Sequence, residues 1–140
     1  MVYSPTFNTT MPIPMEPAVL SCHITNTAAS TNVPIYIPWE YCQLDYSYTV
    51  TLVANDATGD VEIDLELDAA SGTEMHSITI ATSTAAVGVI DEGTVTTQSA
   101  CENLGRHNTS RDAVNVEVDG GATPTGSFML YMYFISDYAG

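Results

Sequence analysis

Residues 127–135 read Ser-Phe-Met-Leu-Tyr-Met-Tyr-Phe-Ile. In an extended strand successive side chains point to opposite faces. Phe128, Leu130, Met132 and Phe134 therefore line one face, and Met129, Tyr131, Tyr133 and Ile135 the other. Neither face is polar. A strand on the outside of a small sheet alternates apolar with polar, so this one needs cover on both sides. The cover comes from a two-layer core, or from one layer of its own domain and another copy of the chain. We assign the Phe128 to Phe134 face to the domain's own core. The face carrying Met129, Tyr131, Tyr133 and Ile135 is the expected contact surface, because tyrosine and methionine suit interfaces.

The rest of the pattern is also β. Ala18 to Thr25 reads as a first strand, with Val19 or Leu20 and Ile24 as core candidates. Val33 to Trp39 is short and extended, and its prolines limit it to an edge or a crossing. In Asp45 to Val53, Tyr46, Tyr48, Val50 and Leu52 share one face and Ser47, Thr49 and Thr51 the other. The turn-rich loop Asn55–Asp60 leads into Val61 to Leu67, where Val61, Ile63, Leu65 and Leu67 face inward and Glu62, Asp64 and Glu66 outward. Two alternating runs joined by such a loop predict an antiparallel hairpin. Further strands are expected at Ser77–Thr82, Ala86–Ile90, Gly93–Gln98 and Ala113–Val118, with at most a short helical turn near Ser99 to Gly105. Many short strands at regular spacing predict an antiparallel β-sandwich or jelly-roll-like domain over residues 18–140.

Residues 1–17 are expected to form an extended N-terminal arm. Pro5, Pro12, Pro14 and Pro17 forbid a continuous helix. Val2, Tyr3, Phe7, Met11, Ile13 and Met15 make it more apolar than a solvated tail. It is either a disordered terminus or an arm that docks on a neighbouring subunit, with Phe7 and Ile13 as contact residues.

Charge narrows the function. The chain has 17 Asp and Glu, only Arg106 and Arg111 as permanent cations, no lysine, and a formal charge of −15. Such a surface excludes nucleic acid as a partner and repels anionic membranes. The absence of lysine removes Schiff-base chemistry. Two lone arginines in an acidic chain are expected to pair with carboxylates, within their loop or across a subunit boundary. Cys22, Cys42 and Cys101 are too far apart for a zinc knuckle; one disulfide is possible, but an odd number fits free, buried thiols in a reducing cytosol better. The first residues do not read as a secretory signal, which predicts synthesis and folding in a cytoplasm.

Catalytic motifs are missing. His23, His76 and His107 sit in no metal-ligand spacing and read as satisfied surface histidines, so neither metal nor cofactor is expected. Glu62, Asp64 and Glu66 read as a solvated row that protects a strand from mispairing. Asp56, Asp60, Asp91 and Glu92 lack the alternating pattern of a calcium loop. No serine lies in a nucleophile elbow.

The segment from Asn115-Val116-Glu117-Val118 through Asp119-Gly120-Gly121-Ala122-Thr123-Pro124-Thr125-Gly126 to Ser127–Ile135 resembles the C-terminal hairpin of small β-rich head decoration (cement) proteins of tailed phages. Tyr46–Val53 and Ile80–Ala86 have a similar character. The resemblance implies a non-enzymatic virion protein on the capsid exterior, a homo-oligomer, commonly a trimer, whose partner is the major capsid protein. A phage tail or fibre component would also multimerise. The alternative class is a carbohydrate- or calcium-binding sandwich module using Tyr36, Trp39 and Tyr41 as a stacking platform.

Overall fold

The computed structural model describes residues 18–25, 31–54, 59–67, 72–81, 86–120 and 126–137. The arm assigned to residues 1–17, with Phe7 and Ile13, lies outside them, as does Asp56. Among the described residues nine strands are formed, β1 (Ala18–Thr25), β2 (Thr31–Tyr36), β3 (Cys42–Val53), β4 (Val61–Leu67), β5 (Glu74–Ile80), β6 (Ile90–Glu92), β7 (Thr94–Val95), β8 (Ala113–Asp119) and β9 (Ser127–Ser136), with a 3-10 turn at Gln98–Cys101. They make two antiparallel sheets. Sheet A is ordered β1-β9-β3-β6 and sheet B β2-β8-β4-β5-β7. The architecture is an all-β sandwich.

β9 lies inside sheet A, paired with β1 on one side and β3 on the other. Its Phe128, Leu130, Met132 and Phe134 are fully buried and meet Ile63, Leu65 and Ile78 among the core residues of sheet B. Side chains of this size contribute roughly 1.5–3 kcal/mol each on full burial, as an upper estimate. β2 sits at the edge of sheet B, where its Pro34 interrupts no inner ladder.

Two expected hairpins are not formed. β3 belongs to sheet A and β4 to sheet B, and β4 pairs with β5 and β8 instead. Likewise β8 and β9 lie in opposite sheets. Alternation fixes which face of a strand is buried and leaves its partner open. A loop of six residues is long enough to cross the roughly 10 Å between stacked sheets. The doubly apolar β9 takes the inner position, and β3 completes the sheet beside it.

The register of β3 against β9 skips a residue between Leu44 and Tyr46. Asp45, exposed, is the extra residue of a β-bulge. Before it, Cys42 and Leu44 point into the core; after it, Ser47, Thr49 and Thr51 do, at 0–1% exposure. Tyr46, Tyr48 and Val50 are turned outward. The bulge thus inverts the usual rule: the hydroxyl face of the strand is buried and the aromatic face looks out.

Candidate assembly surface

The outer face of sheet A is built from four strands in register. Tyr46 lies directly across from Tyr133 and Tyr48 from Tyr131 on β9; Val19, Ser21 and His23 of β1 flank Tyr133, Tyr131 and Met129; Ile90 and Glu92 of β6 flank Val50 and Tyr48. The four tyrosines form one cluster. Tyr48 stacks on Tyr131 with ring centroids 5.0 Å apart and on Tyr133 at 6.0 Å, and Tyr46 packs against Tyr48 at 5.6 Å and Tyr133 at 6.0 Å. The Tyr48 and Tyr133 hydroxyls are 3.5 Å apart. That hydrogen bond, then desolvation and the neighbouring phenols, pushes the Tyr48 hydroxyl up to about 12. The Tyr46 hydroxyl donates to Glu92, which raises its pKa as well. The two β3 phenols are therefore held in their neutral form and locked against their neighbours. Aromatic pairs in this geometry add about 0.5–1.5 kcal/mol each beyond area burial.

The outer face of sheet B has the opposite character. Glu62 lies across from Asp119 and Asp64 from Glu117. Desolvation first, then Glu66 and Asp64, raise the Glu117 carboxyl. Asp64 accepts from the Ser77 hydroxyl at 2.7 Å and Glu66 from the Asn115 amide at 3.2 Å. Glu66, expected to be solvated, is only 7% exposed, across from Asn115 of β8 and Glu74 of β5. Five carboxylates, Glu62, Asp64, Glu66, Glu117 and Asp119, thus share this face. Among the register positions of the tyrosine face, Glu92 is the sole carboxylate.

Comparison with known proteins adds little to this geometry. No protein-family model and no curated protein sequence matches the chain. A solved structure described with the words "Bacillus endospore appendages form a novel family of disulfide-linked pili" superposes with a TM-score of 0.46 at 17% identity, covering 86% of this chain and 87% of that one. At that level it assigns no role here.

Of the residues expected from sequence, Met129, Tyr131, Tyr133 and Ile135 all lie on the outer face of sheet A, half-buried among their neighbours. Arg111 is elsewhere, and it pairs with backbone instead of carboxylate. Its guanidinium donates to the carbonyls of Ser99, Ala100 and Glu102 at 2.8–3.3 Å, closing the loop after the 3-10 turn. Arg106 is exposed in the same loop. Tyr46 and Tyr48, the other half of the platform, had a legible signal: the Tyr-x-Tyr spacing of Tyr46 and Tyr48 repeats at Tyr131 and Tyr133.

The histidines divide. His23 is exposed. His107 stacks on Tyr41 at 4.1 Å; its Nδ1 accepts from the Tyr41 N–H, so its Nε2–H donates to Asn103 at 2.8 Å. This holds Tyr41 at its positive φ of 49°. His76 is not a surface residue: at 1% exposure its Nδ1 meets the Ser47 hydroxyl at 2.7 Å and its Nε2 has no partner. Burial lowers its pKa against the opposing pull of Asp45. A serine–histidine contact is the first half of a hydrolytic site, but both groups are sealed between the sheets, where no substrate reaches.

All three cysteines are free, and burial raises the thiols of Cys22, Cys42 and Cys101 to about 11, 12 and 11. Trp39 packs its ring against Phe134 at 5.6 Å and Tyr41 stacks on His107, while Tyr36 is exposed on the edge strand β2. Among the described residues no group of three His, Cys, Asp or Glu side chains is placed to hold a metal ion, and no helix is long and apolar enough to cross a membrane.

Proposed function

We propose that this chain is a non-enzymatic structural protein that multimerises through the tyrosine face of sheet A, in the form of a capsid decoration protein. The observation that carries the reading is the inverted β3: a strand with a perfectly serviceable apolar face buries its hydroxyls and presents Tyr46, Tyr48 and Val50 beside Tyr131 and Tyr133. In a chain of net charge −15 this is the face on which like-charged copies can approach, with Glu62, Asp64, Glu117 and Asp119 on the opposite sheet. Fully burying a few large apolar side chains supplies roughly 1.5–3 kcal/mol each against the entropy of association.

The strand order also supports this reading. β1-β9-β3-β6 facing β2-β8-β4-β5 has the connectivity of a jelly roll, an architecture used by virion proteins and lectins alike. Fold alone does not assign function, so the face, not the topology, carries the argument. The virion exterior, a trimer and the major capsid protein as partner are the specific form expected from the sequence resemblance.

The test is sedimentation velocity over a range of concentrations, with Tyr48→Glu as the perturbation. The wild-type chain should associate, the variant should run as a folded monomer whose thermal stability is lowered by the lost ring contacts, and only the wild type should co-pellet with assembled phage heads. A wild-type chain that stays monomeric throughout and binds no shell would overturn the proposal.

A further inference from the structure

Among the described residues, one edge of the sandwich is unfinished. Sheet A ends at β1 and sheet B at β2, on the same side. Val33 of β2 lies across from Val116, whose own partner on β4 is Leu65, so Val33 belongs to the inward face. Yet it is 50% exposed. Between the two edges lies a cavity of about 120 Å³ lined by Cys22, Ile24, Val33, Val116 and Val118 among others. An inward valine left open beside an apolar cavity marks the place of an absent strand of sheet A.

The edge is also unguarded. β2 carries Pro34, and β6 and β7 are only three and two residues long. β1 has eight residues, no proline, no charged carboxylate or lysine, and an unbroken register with β9. Long bare edges of this kind recruit other strands. Its free groups can be identified. Gly93 N–H donates to the Ser47 carbonyl and Thr51 N–H to the Val89 carbonyl, so the inward residues of β3 bond away from β9. Alternation then directs the outward residues of β3 to β9, the inward residues of β9 to β1, and the inward residues of β1 back to β9. Val19, Ser21, His23 and Thr25 are left with their backbone groups facing the free edge.

Residues 11–15, Met-Pro-Ile-Pro-Met, suit that edge. In an extended strand the N–H and C=O of one residue point to the same side, alternating along the chain. Met11, Ile13 and Met15 offer intact donors on one side; Pro12 and Pro14 leave the other side without donors, so such a strand adds once and seals the sheet. Glu16 is the sole acid in residues 1–17, and β1 has none, so the contact escapes the repulsion of the acidic domain. A second copy supplies the strand more simply than the same chain: with Met15 beside Val19, an intrachain hairpin would have Glu16, Pro17 and Ala18 as its loop, and a three-residue hairpin loop ends in a left-handed residue, whereas Ala18 is held extended in β1 opposite Phe134.

We propose that residues 11–15 of a second copy add antiparallel to β1 as the fifth strand of sheet A. Met11, Ile13 and Met15 then bond to the free edge and lay their side chains beside Val19, Ser21 and His23, extending the tyrosine face. Pro12 and Pro14 turn their rings inward over the cavity and Val33. The proposal rests on the self-assembly reading in needing a second copy, but it uses a different surface.

Cysteine scanning of positions 11 to 15 in the full chain tests it, with native Cys22 as the partner thiol and a mild oxidant. Cys42 and Cys101 are fully buried. Pro12→Cys and Pro14→Cys face the inward side of β1, and at least one should give a reducible dimer band that Cys22→Ser abolishes. Met11→Cys, Ile13→Cys and Met15→Cys should cross-link several-fold less. No dimer at any position, a band independent of Cys22, a disulfide closed within one chain, or the reverse alternation would overturn it. The cross-link reports the arm, and sedimentation of Tyr48→Glu reports the face, so either can fail alone.

Discussion

Thr49 and Thr51 offer a direct measurement of the strand inversion. Both are buried, at 0% and 1% exposure, and neither Oγ1 has a hydrogen-bond partner. An unpaired buried hydroxyl carries a desolvation penalty of about 1–3 kcal/mol. Valine keeps the branched shape and removes the hydroxyl. Thr49→Val and Thr51→Val should therefore each stabilise the chain, by about 1 kcal/mol taking the lower end of that range. The two sites are two residues apart on one face, about 7 Å, close to the distance at which effects begin to add, so the double variant should gain about 2 kcal/mol. Urea unfolding is the assay, read as a raised midpoint at unchanged slope. Had the strand kept the ordinary parity, these threonines would face solvent and the substitutions would fall within about 0.5 kcal/mol of neutral. A neutral or destabilising result at both positions would refute the inversion, and with it the case for the tyrosine face.

Two other perturbations probe the buried contact beneath that strand. A Cβ on Gly93 would overlap Ser47 Oγ and press on Ile78, so Gly93→Ala must displace the hydroxyl from His76; a loss of about 1–3 kcal/mol is expected, and it should shrink in a Ser47→Ala background, as a double-mutant cycle by chemical unfolding will show. His76 has a folded pKa below its unfolded value of 6.5, so the unfolded state takes up the proton first and stability falls as pH drops below about 6.5. The raised carboxyls of Asp91 and Glu117 act with the opposite sign, their ionised forms being penalised in the fold and relieved on acidification. Since both proteins share those groups, the stability difference between wild type and His76→Gln isolates the histidine. Wild type should lose ground to the variant between about pH 6.5 and 5 in thermal melts; a constant difference would exclude the buried neutral imidazole.

Strand existence was legible because alternation is a local property: β1, β4, β8 and β9 fall where periodicity places them, and the inward face of β9 was readable from Phe128, Leu130, Met132 and Phe134 alone. Pairing was not legible. Nothing in Asn55–Asp60 distinguishes a loop that turns back within a sheet from one that crosses to the opposite sheet, and so β3 and β4 were expected to be partners. The same limit hid Ser47 and His76, which meet across the core from separate strands. Arg111 shows a different limit. Counting charges suggests a carboxylate partner, whereas within the chain its guanidinium bonds the carbonyls of the 3-10 turn and of Glu102.

The bulge at Asp45 makes one strand serve two readers. Upstream of it the sequence is spelled for the core, downstream for whatever touches the outside, and a single residue sets the frame between them. A chain otherwise identical but lacking that residue would shift frame, hide its phenols and show threonines to water. It would keep its fold class and lose the face through which we propose that it assembles. On that proposal self-association is a matter of phase, and a one-codon deletion or insertion is the shortest path between an associating and a solitary form.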